Sequence, residues 1–406
     1  MYGSIELTSI RNYVYITKYV SKWFTNGKME VEKVGKNENY INRILISGYR
    51  SIKECDLNLR DINVLIGSNG AGKTNLLSVF TMLQYILERE LKLFIGKSGM
   101  SSIFYNGIKM TNKVTLTLFF GSSYGNSYSF ALEPTNNNSV VFRREEFSYK
   151  PLICAEPAML EEVSGGHDES LWKQIGGNED SKTIIPILES LQFRVYHFCD
   201  TGKEAKLKAE HRVSNNKVLL YDAANLASFL YRLRNNYHYA YQHILETVQL
   251  IAPFIKDFEL EPEEKNNDLI VLRWKQKGCE DVFNVSQLSD GTLRFICLVT
   301  LLLQPKELQP SLIIIDEPEL GLHPYAVTVF CEMVKKTALD KQVILSTQSV
   351  ELLNQFDADD VIVVDCGDNG SEIRRLCEED LTDWLENDYE LGELWQKNIL
   401  GGRLSK

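Results

Sequence analysis

Eight consecutive residues, Gly67-Ser68-Asn69-Gly70-Ala71-Gly72-Lys73-Thr74, carry the spacing G-x-x-x-x-G-K-[ST]. The apolar run Ile62-Asn63-Val64-Leu65-Ile66 precedes them and Asn75-Leu76-Leu77-Ser78-Val79-Phe80 follows, so a strand, a loop and a helix come in the order this pattern needs. In that order, glycines let backbone N–H groups curl around phosphate oxygens at the positive end of a helix. A chance Gly-rich turn would satisfy the spacing without the flanking strand and helix. Asn69, Gly70, Ala71, Gly72, Lys73, Thr74 and Asn75 are therefore the expected contacts to a nucleoside triphosphate. Lys73 would sit against the β- and γ-phosphates as a mobile cation, and the Thr74 hydroxyl would ligate Mg²⁺.

Two further stretches supply what a triphosphate needs in order to be cleaved. Leu312-Ile313-Ile314-Ile315-Asp316-Glu317-Pro318 reads as a strand buried on both faces that ends in two acids. Acids at the carboxyl edge of a parallel sheet stand where ligands bind. There Asp316 would hold Mg²⁺ and Glu317 would polarise the attacking water. One helix later, Val343-Ile344-Leu345-Ser346-Thr347-Gln348-Ser349 is another buried strand with a polar end, and Gln348 is expected to reach the γ-phosphate or its water. A third stretch, Gln287-Leu288-Ser289-Asp290-Gly291-Thr292-Leu293-Arg294, opens an apolar helix. A small hydroxyl and a glycine at a helix N-terminus offer N–H donors to an anion, although Ser289 alone would serve as an ordinary N-cap.

Composition bounds the partners. The chain has 406 residues, 44% hydrophobic and 24% charged, with a formal net charge of -11. An acidic body opposes non-specific binding to nucleic acid and leaves only a local basic groove open to it. No run of about 18 apolar residues and no basic-then-apolar leader are present, so neither membrane insertion nor export is expected and the cytoplasm is the expected compartment. The eight cysteines (Cys55, Cys154, Cys199, Cys279, Cys297, Cys331, Cys366 and Cys377) form no C-x-x-C pair, and the six histidines show no H-E-x-x-H spacing. Reduced thiols and no protein-only transition-metal site are expected.

The elements that must position these groups follow the same periodicities. Residues 1–40 offer one amphipathic recurrence (Ile10, Val14, Tyr19, Val20, Trp23), either a docking helix or an extension that adds little. Ile44-Leu45-Ile46 and Cys55-Asp56-Leu57-Asn58-Leu59 read as a hairpin leading into the phosphate-loop strand. Leu76, Phe80, Leu83 and Leu87 make the stripe of a helix packed on a sheet, and Val114–Phe120, Tyr128–Leu132 and Val140–Phe147 an antiparallel meander. Residues 150–220 are punctuated by Pro and Gly, with a basic patch (Lys203, Lys206, Lys208, Arg212, Lys217) read first as solvated helix and loop and second as a nucleic-acid or partner contact. Asn225 to Leu250 reads as one long helix, and Leu269–Trp274 with Asp281–Val285 as a hairpin.

The succession of phosphate loop, L-S-x-G, a strand ending in Asp316-Glu317 and a strand ending in Ser346-Thr347-Gln348, preceded by Ser47-Gly48-Tyr49-Arg50-Ser51, resembles the ATP-binding-cassette ATPases of the RecF, SMC and OLD type. It is similar above all to their stand-alone relatives (AAA-type ATP-binding proteins), many of which occur in bacterial anti-phage defence operons. The likeness covers about Ile41–Gln84 and Asn284–Asp365. It implies an α/β fold: an ABC-type P-loop nucleotide-binding domain with a mixed sheet and an inserted, mostly helical subdomain. The corresponding domains are an N-terminal extension (1–40), a first lobe with an antiparallel wing (41–150), an inserted helical subdomain (151–268) and a second lobe (269–406). The resemblance further implies that Ser289, Asp290 and Gly291 act in trans on the γ-phosphate of a second protomer, that Arg50 approaches the phosphates, and that His323 lies on the dimer-facing loop.

Asp290 stands where that signature has a second glycine, and Gln348 replaces the switch histidine of transporters. About 215 residues without sustained heptads separate Gly72 from Ser289, which excludes long SMC-type arms, and about 60 residues after the Thr-Gln strand are too few for a Toprim domain. A transporter subunit is disfavoured by the lack of a membrane-coupling pattern. The expectation is an ATP- and Mg²⁺-dependent switch ATPase acting as a homodimer or higher homo-oligomer. It would be the sensor of a defence system whose separate effector is nuclease- or Toprim-like, and the alternative is a RecF-like repair or maintenance ATPase that binds DNA itself.

Overall fold

Alternation decides the layers. In the central strands successive side chains enter two different cores, so both faces must be covered. The computed structural model describes residues 40–121, 126–149, 159–163, 165–174, 184–191, 193–198, 200–202 and 204–402, all within the unit Glu38–Lys406. The amphipathic recurrence expected between residues 10 and 23, Lys203, Cys154 and Cys199 lie outside the described residues.

The chain begins with the expected hairpin, β1 (Ile41–Tyr49) and β2 (Ile52–Asn58), and continues through β3 (Ile62–Ile66) and the phosphate loop into α1 (Lys73–Glu88) and α2 (Leu91–Ser98). The meander follows as β4 (Val114–Phe120), β5 (Asn126–Pro134) and β6 (Val140–Tyr149), extended by β7 (Met159–Val163). These strands form an antiparallel sheet in the order β2-β1-β4-β5-β6-β7. Next come α3 (Ile184–Ser190), β8 (Phe193–Tyr196), β9 (His211–Arg212), α4 (Leu226–Asn236), α5 (His238–Ile251) and β10 (Ile255–Glu259). Then β11 (Leu269–Ile270), β12 (Arg273–Gln276) and β13 (Val282–Asn284) lead into α6 (Asp290–Leu303) and β14 (Leu312–Asp316). The chain closes with α7 (Pro324–Thr337), β15 (Gln342–Ser346), α8 (Val350–Leu353), β16 (Val361–Gly367), β17 (Gly370–Arg375), α9 (Thr382–Leu385) and α10 (Leu391–Gln396).

The second sheet has the order β17-β16-β3-β15-β14-β8, parallel except for β17. In β14, Leu312 and Ile314 enter the core shared with α1 and the antiparallel sheet, whereas Ile313 and Ile315 enter the core shared with α4, α5, α6 and α7. Val343 and Leu345 against Ile344, and Val361 and Val363 against Ile362 and Val364, divide the same way. Each fully buried aliphatic side chain contributes about 1.5–3 kcal/mol, which commits these strands to the interior and their polar ends to its edge. Leu76, Phe80, Leu83 and Leu87 are all buried between the two sheets. Gln342 joins the layers: its Oε1 accepts from Ile41 N and its Nε2 donates to Ile41 O, both at 2.9 Å.

Two readings are corrected. The single helix expected over 225–250 is two, because Tyr237 leaves helical geometry (φ −136°, ψ 54°) after Asn235-Asn236, whose side chains compete for backbone hydrogen bonds. The apolar stripe runs on through Leu233, Tyr237 and Tyr241, so periodicity alone conceals the break. Leu269–Trp274 is not one arm of a hairpin: β11 pairs with β9, and only β12 pairs with β13 and β10. Ile270, Leu272 and Trp274 do face one core, so the alternation holds while the hydrogen-bond partner changes. Within 151–268, expected to be mostly helical, the four-residue β8 joins the central sheet as an edge strand parallel to β14.

Among the described residues Cys55, Cys279, Cys297, Cys331, Cys366 and Cys377 are free thiols, and no helix is long and apolar enough to cross a membrane.

Candidate functional site

The parallel register puts the chemistry at one edge. Ser346 pairs with Asp316 on one side and Leu65 on the other, and the Thr347 N–H donates to Leu65 O at 3.0 Å. Three strand ends, carrying the acids, Thr347-Gln348 and the phosphate loop, therefore lie side by side. Gly67, Gly70 and Gly72 have φ of 156°, 84° and 115°. At Gly72 glycine is also required by space, since a Cβ there would lie 2.0 Å from Ser371 Oγ. That serine closes a chain of donors in which Asn75 Nδ2 donates to Ser51 Oγ (2.7 Å), Ser51 Oγ to Ser371 Oγ (2.8 Å), and Ser371 Oγ to Ala71 O (2.6 Å). Residues some 300 positions apart thus fix the loop's backbone.

Lys73 is buried, and its Nζ donates to Gly67 O at 2.6 Å and Ser68 O at 3.1 Å. Burial lowers its pKa, opposed by the charges of Glu317, Asp316 and Glu319 in that order. Thr74 and Asn69 are exposed, and Asp316 is half-buried. Gln348 spans the site: its Nε2 donates to Asn69 Oδ1 at 2.7 Å and to Glu317 Oε1 at 2.9 Å. Glu317 holds φ at 49°, uncommon for a side-chain-bearing residue, with its N–H fixed on Ser346 O at 2.8 Å. Such a conformation costs on the order of 1–3 kcal/mol and gathers at functional positions.

Ser289, Asp290 and Gly291 stand elsewhere. Ser289 caps α6, its Oγ accepting from Thr292 N at 3.2 Å and lying 2.8 Å from Thr292 Oγ1. A Cβ on Gly291 would lie 2.2 Å from Gly321 O, so this helix tip and the loop after the acids are pressed together. Arg294 reinforces the contact by donating to Leu320 O (2.6 Å) and Phe198 O (3.0 Å). Ser289, Gly291, Thr292, Gly321, His323 and Tyr325 line a cleft of about 440 Å³ whose lining includes no phosphate-loop residue. His323 caps α7, its Nδ1 accepting from Tyr325 N at 3.2 Å. Asp290, an acid at a helix tip expected to meet phosphate, has Lys208 Nζ at 3.8 Å. The basic patch is thus in part a contact of this tip.

Arg50 is placed differently from the other expected contacts. It has φ 49°, its guanidinium lies 5.6 Å from the centre of the Tyr49 ring and its Nε is buried without a hydrogen-bond partner, while its neighbour Ser51 makes the bond toward the loop. The sequence reading missed Ser51 and Ser371 as loop anchors, Glu319, and His197, whose Nδ1 lies 3.7 Å from Asp316 Oδ2. Glu319 had a visible signal, a third acid two residues after Glu317. Ser371 had none, being brought in by β17.

The donor set fits a hard cation. Thr74 Oγ1 and the Asp316 carboxylate offer hard oxygen donors, of which Mg²⁺ takes one or two together with phosphates and water. Among the described residues there is no group of three or more His, Cys, Asp or Glu side chains able to hold a metal by themselves.

A mixed sheet in which the glutamine-bearing strand end lies between the phosphate loop and the paired acids defines an ABC-type P-loop ATPase of the RecF, SMC and OLD group. The family model described as "AAA domain, putative AbiEii toxin, Type IV TA system" matches residues 62–354, and the chain belongs to that family. The chain is 24% identical over 377 residues to the Old nuclease of Escherichia phage P2, covering 83% of this chain and 61% of that protein. It thus spans less than two thirds of the relative's length. Among solved structures, the Smc head domain with an extended coiled coil bound to the C-terminal domain of ScpA, from Pyrococcus furiosus, matches with a TM-score of 0.55 at 13% identity, covering 86% of this chain and 99% of that one. The SmcHead bound to the C-winged helix domain of ScpA matches at 0.54 and 14% identity, covering 85% and 99%. These likenesses show the fold.

Proposed function

We propose that the protein hydrolyses ATP and that two copies close head to tail on two ATP molecules, making it a nucleotide-driven switch. The observation that carries this reading is Gln348, whose amide joins the phosphate loop at Asn69 to Glu317 and so sets the acid beside the cradle. Lys73 binds the β- and γ-phosphates, and the N–H groups of Asn69 to Thr74 orient them. Thr74 and Asp316 would hold Mg²⁺, which would neutralise charge on the phosphates. Glu317 accepts a proton from the attacking water, and Gln348 orients that water. The Ser289 tip, whose cleft shares no lining with the phosphate loop of its own chain, meets the phosphates of a second copy.

For the biological role we propose the sensor half of a cytoplasmic anti-phage defence system whose separate effector is nuclease- or Toprim-like. The family's description as a Type IV TA system toxin and the likeness to a phage-encoded nuclease support that setting. The RecF-like alternative, direct action on DNA, would appear as hydrolysis stimulated by duplex DNA with a steep salt dependence.

Light scattering after size exclusion tests the switch. Glu317→Gln in ATP and Mg²⁺ should retain nucleotide and accumulate as dimer, while Lys73→Ala stays nucleotide-free. Equal hydrolysis by wild type and Glu317→Gln would remove Glu317 from the mechanism.

A further inference from the structure

Glu319 lies behind the acids and is turned inward. Its Oε1 accepts from Thr347 Oγ1 at 2.6 Å and from the Gln348 backbone N–H at 3.1 Å. Its Oε2 is buried without a hydrogen-bond partner. Thr347 Oγ1 in turn accepts from Ser349 N at 2.9 Å, and Ser349 caps α8 through Leu352 N. Beside the Thr347 N–H bond to Leu65 O, this carboxyl group holds the turn 347–349 through the Thr347 side chain and the Gln348 backbone, and the middle residue of the turn is the glutamine that spans Asn69 and Glu317. A buried carboxylate with one oxygen unpaired is costly in a loop that could be pinned by a neutral group.

We infer that Glu319 is a positioning residue for hydrolysis: it holds the Thr347-Gln348 peptide so that the Gln348 amide bridges the phosphate loop and Glu317. The inference rests on the ATPase reading above. Without Glu319 the backbone under Gln348 loses its anchor, the amide drifts from Glu317, and turnover falls while the phosphate cradle, built by Ser51 and Ser371, still binds nucleotide.

Steady-state ATP hydrolysis and binding of a fluorescent ATP analogue, measured on the full chain for wild type, Glu319→Ala, Glu319→Gln, Gln348→Ala and the Glu319→Ala/Gln348→Ala pair, test this. Glu319→Ala should lower kcat by about 10- to 100-fold with the nucleotide Kd changed less than about 3-fold. Glu319→Gln, which keeps an acceptor at Oε1, should recover most of that loss. In the Gln348→Ala background Glu319→Ala should cost less than about 2-fold more, because both act through one bridge. Should Glu319→Ala not fold, Glu319→Asp, with its oxygens drawn back by one methylene, takes its place in the cycle.

Unchanged kcat, losses that simply multiply with Gln348→Ala, or a Kd that worsens as much as kcat would each overturn the assignment. Wild-type hydrolysis that disappears in Lys73→Ala keeps the ATPase reading whichever way Glu319 behaves. No hydrolysis by wild type would overturn both.

Discussion

The phosphate cradle and the Ser289 tip are both helix N-termini able to meet an anion, yet they are built in opposite ways. The cradle is held from all sides by its own chain: Lys73 by the loop carbonyls, Ala71 by Ser371, Asn75 by Ser51, and Asn69 by Gln348. The Ser289 tip is stiffened from behind, by Gly321 against Gly291 and by Arg294, while Ser289 and Asp290 are exposed and, among the described residues, bonded within their first turn or to Lys208. One helix end is pre-organised by its own chain. The other is rigid but outward-facing, the form expected of a surface that acts on something its own chain does not carry.

The sharpest way to break this contrast is to spoil the cradle at its tightest point. Gly72→Val must abandon φ 115° or collide with Ser371, and nucleotide affinity in a filter-binding or fluorescence assay should fall by at least about 100-fold, close to 3 kcal/mol. Wild-type affinity would show that the cradle tolerates a side chain and is not the phosphate site.

A smaller effect separates the charge of Glu319 from its hydrogen bonds. Burial raises its pKa above the ordinary 4.5, so the folded chain holds that proton more tightly than the unfolded chain does. Stability from this group is therefore present in acid and declines as pH rises above about 4.5. The thermal midpoint of Glu319→Gln relative to wild type should accordingly climb as pH is raised from 4.5 toward neutrality. A constant difference would mean that the carboxyl is not held in a burial-dominated setting.

The same contrast explains what could be read in the chain before it was folded. Gly67–Thr74, Asp316-Glu317 and Gln348 each follow an apolar run that can only be a buried strand, so local pattern places them at a sheet edge. Ser289 was legible as a cap. Ser371 was not, because its partner Ala71 is 300 residues away and only the antiparallel β17 delivers it. Strand β8 is four residues long in a stretch marked by Pro and Gly, too short for its alternation to register. Glu319 opens the stretch that the resemblance places on the dimer-facing loop, and its inward turn follows from the Thr347 and Gln348 donors, which come from a different strand end.

Mixing two defective chains tests the central claim most directly. Lys73→Ala retains the Ser289 tip and Ser289→Arg retains the cradle, so each alone should be unable to hydrolyse ATP. Their one-to-one mixture should regain turnover, up to about one quarter of wild type if pairing is random and each mixed dimer has one intact composite site. A mixture as inactive as its parts, or full activity of Ser289→Arg by itself as a monomer, would contradict a site shared between two copies.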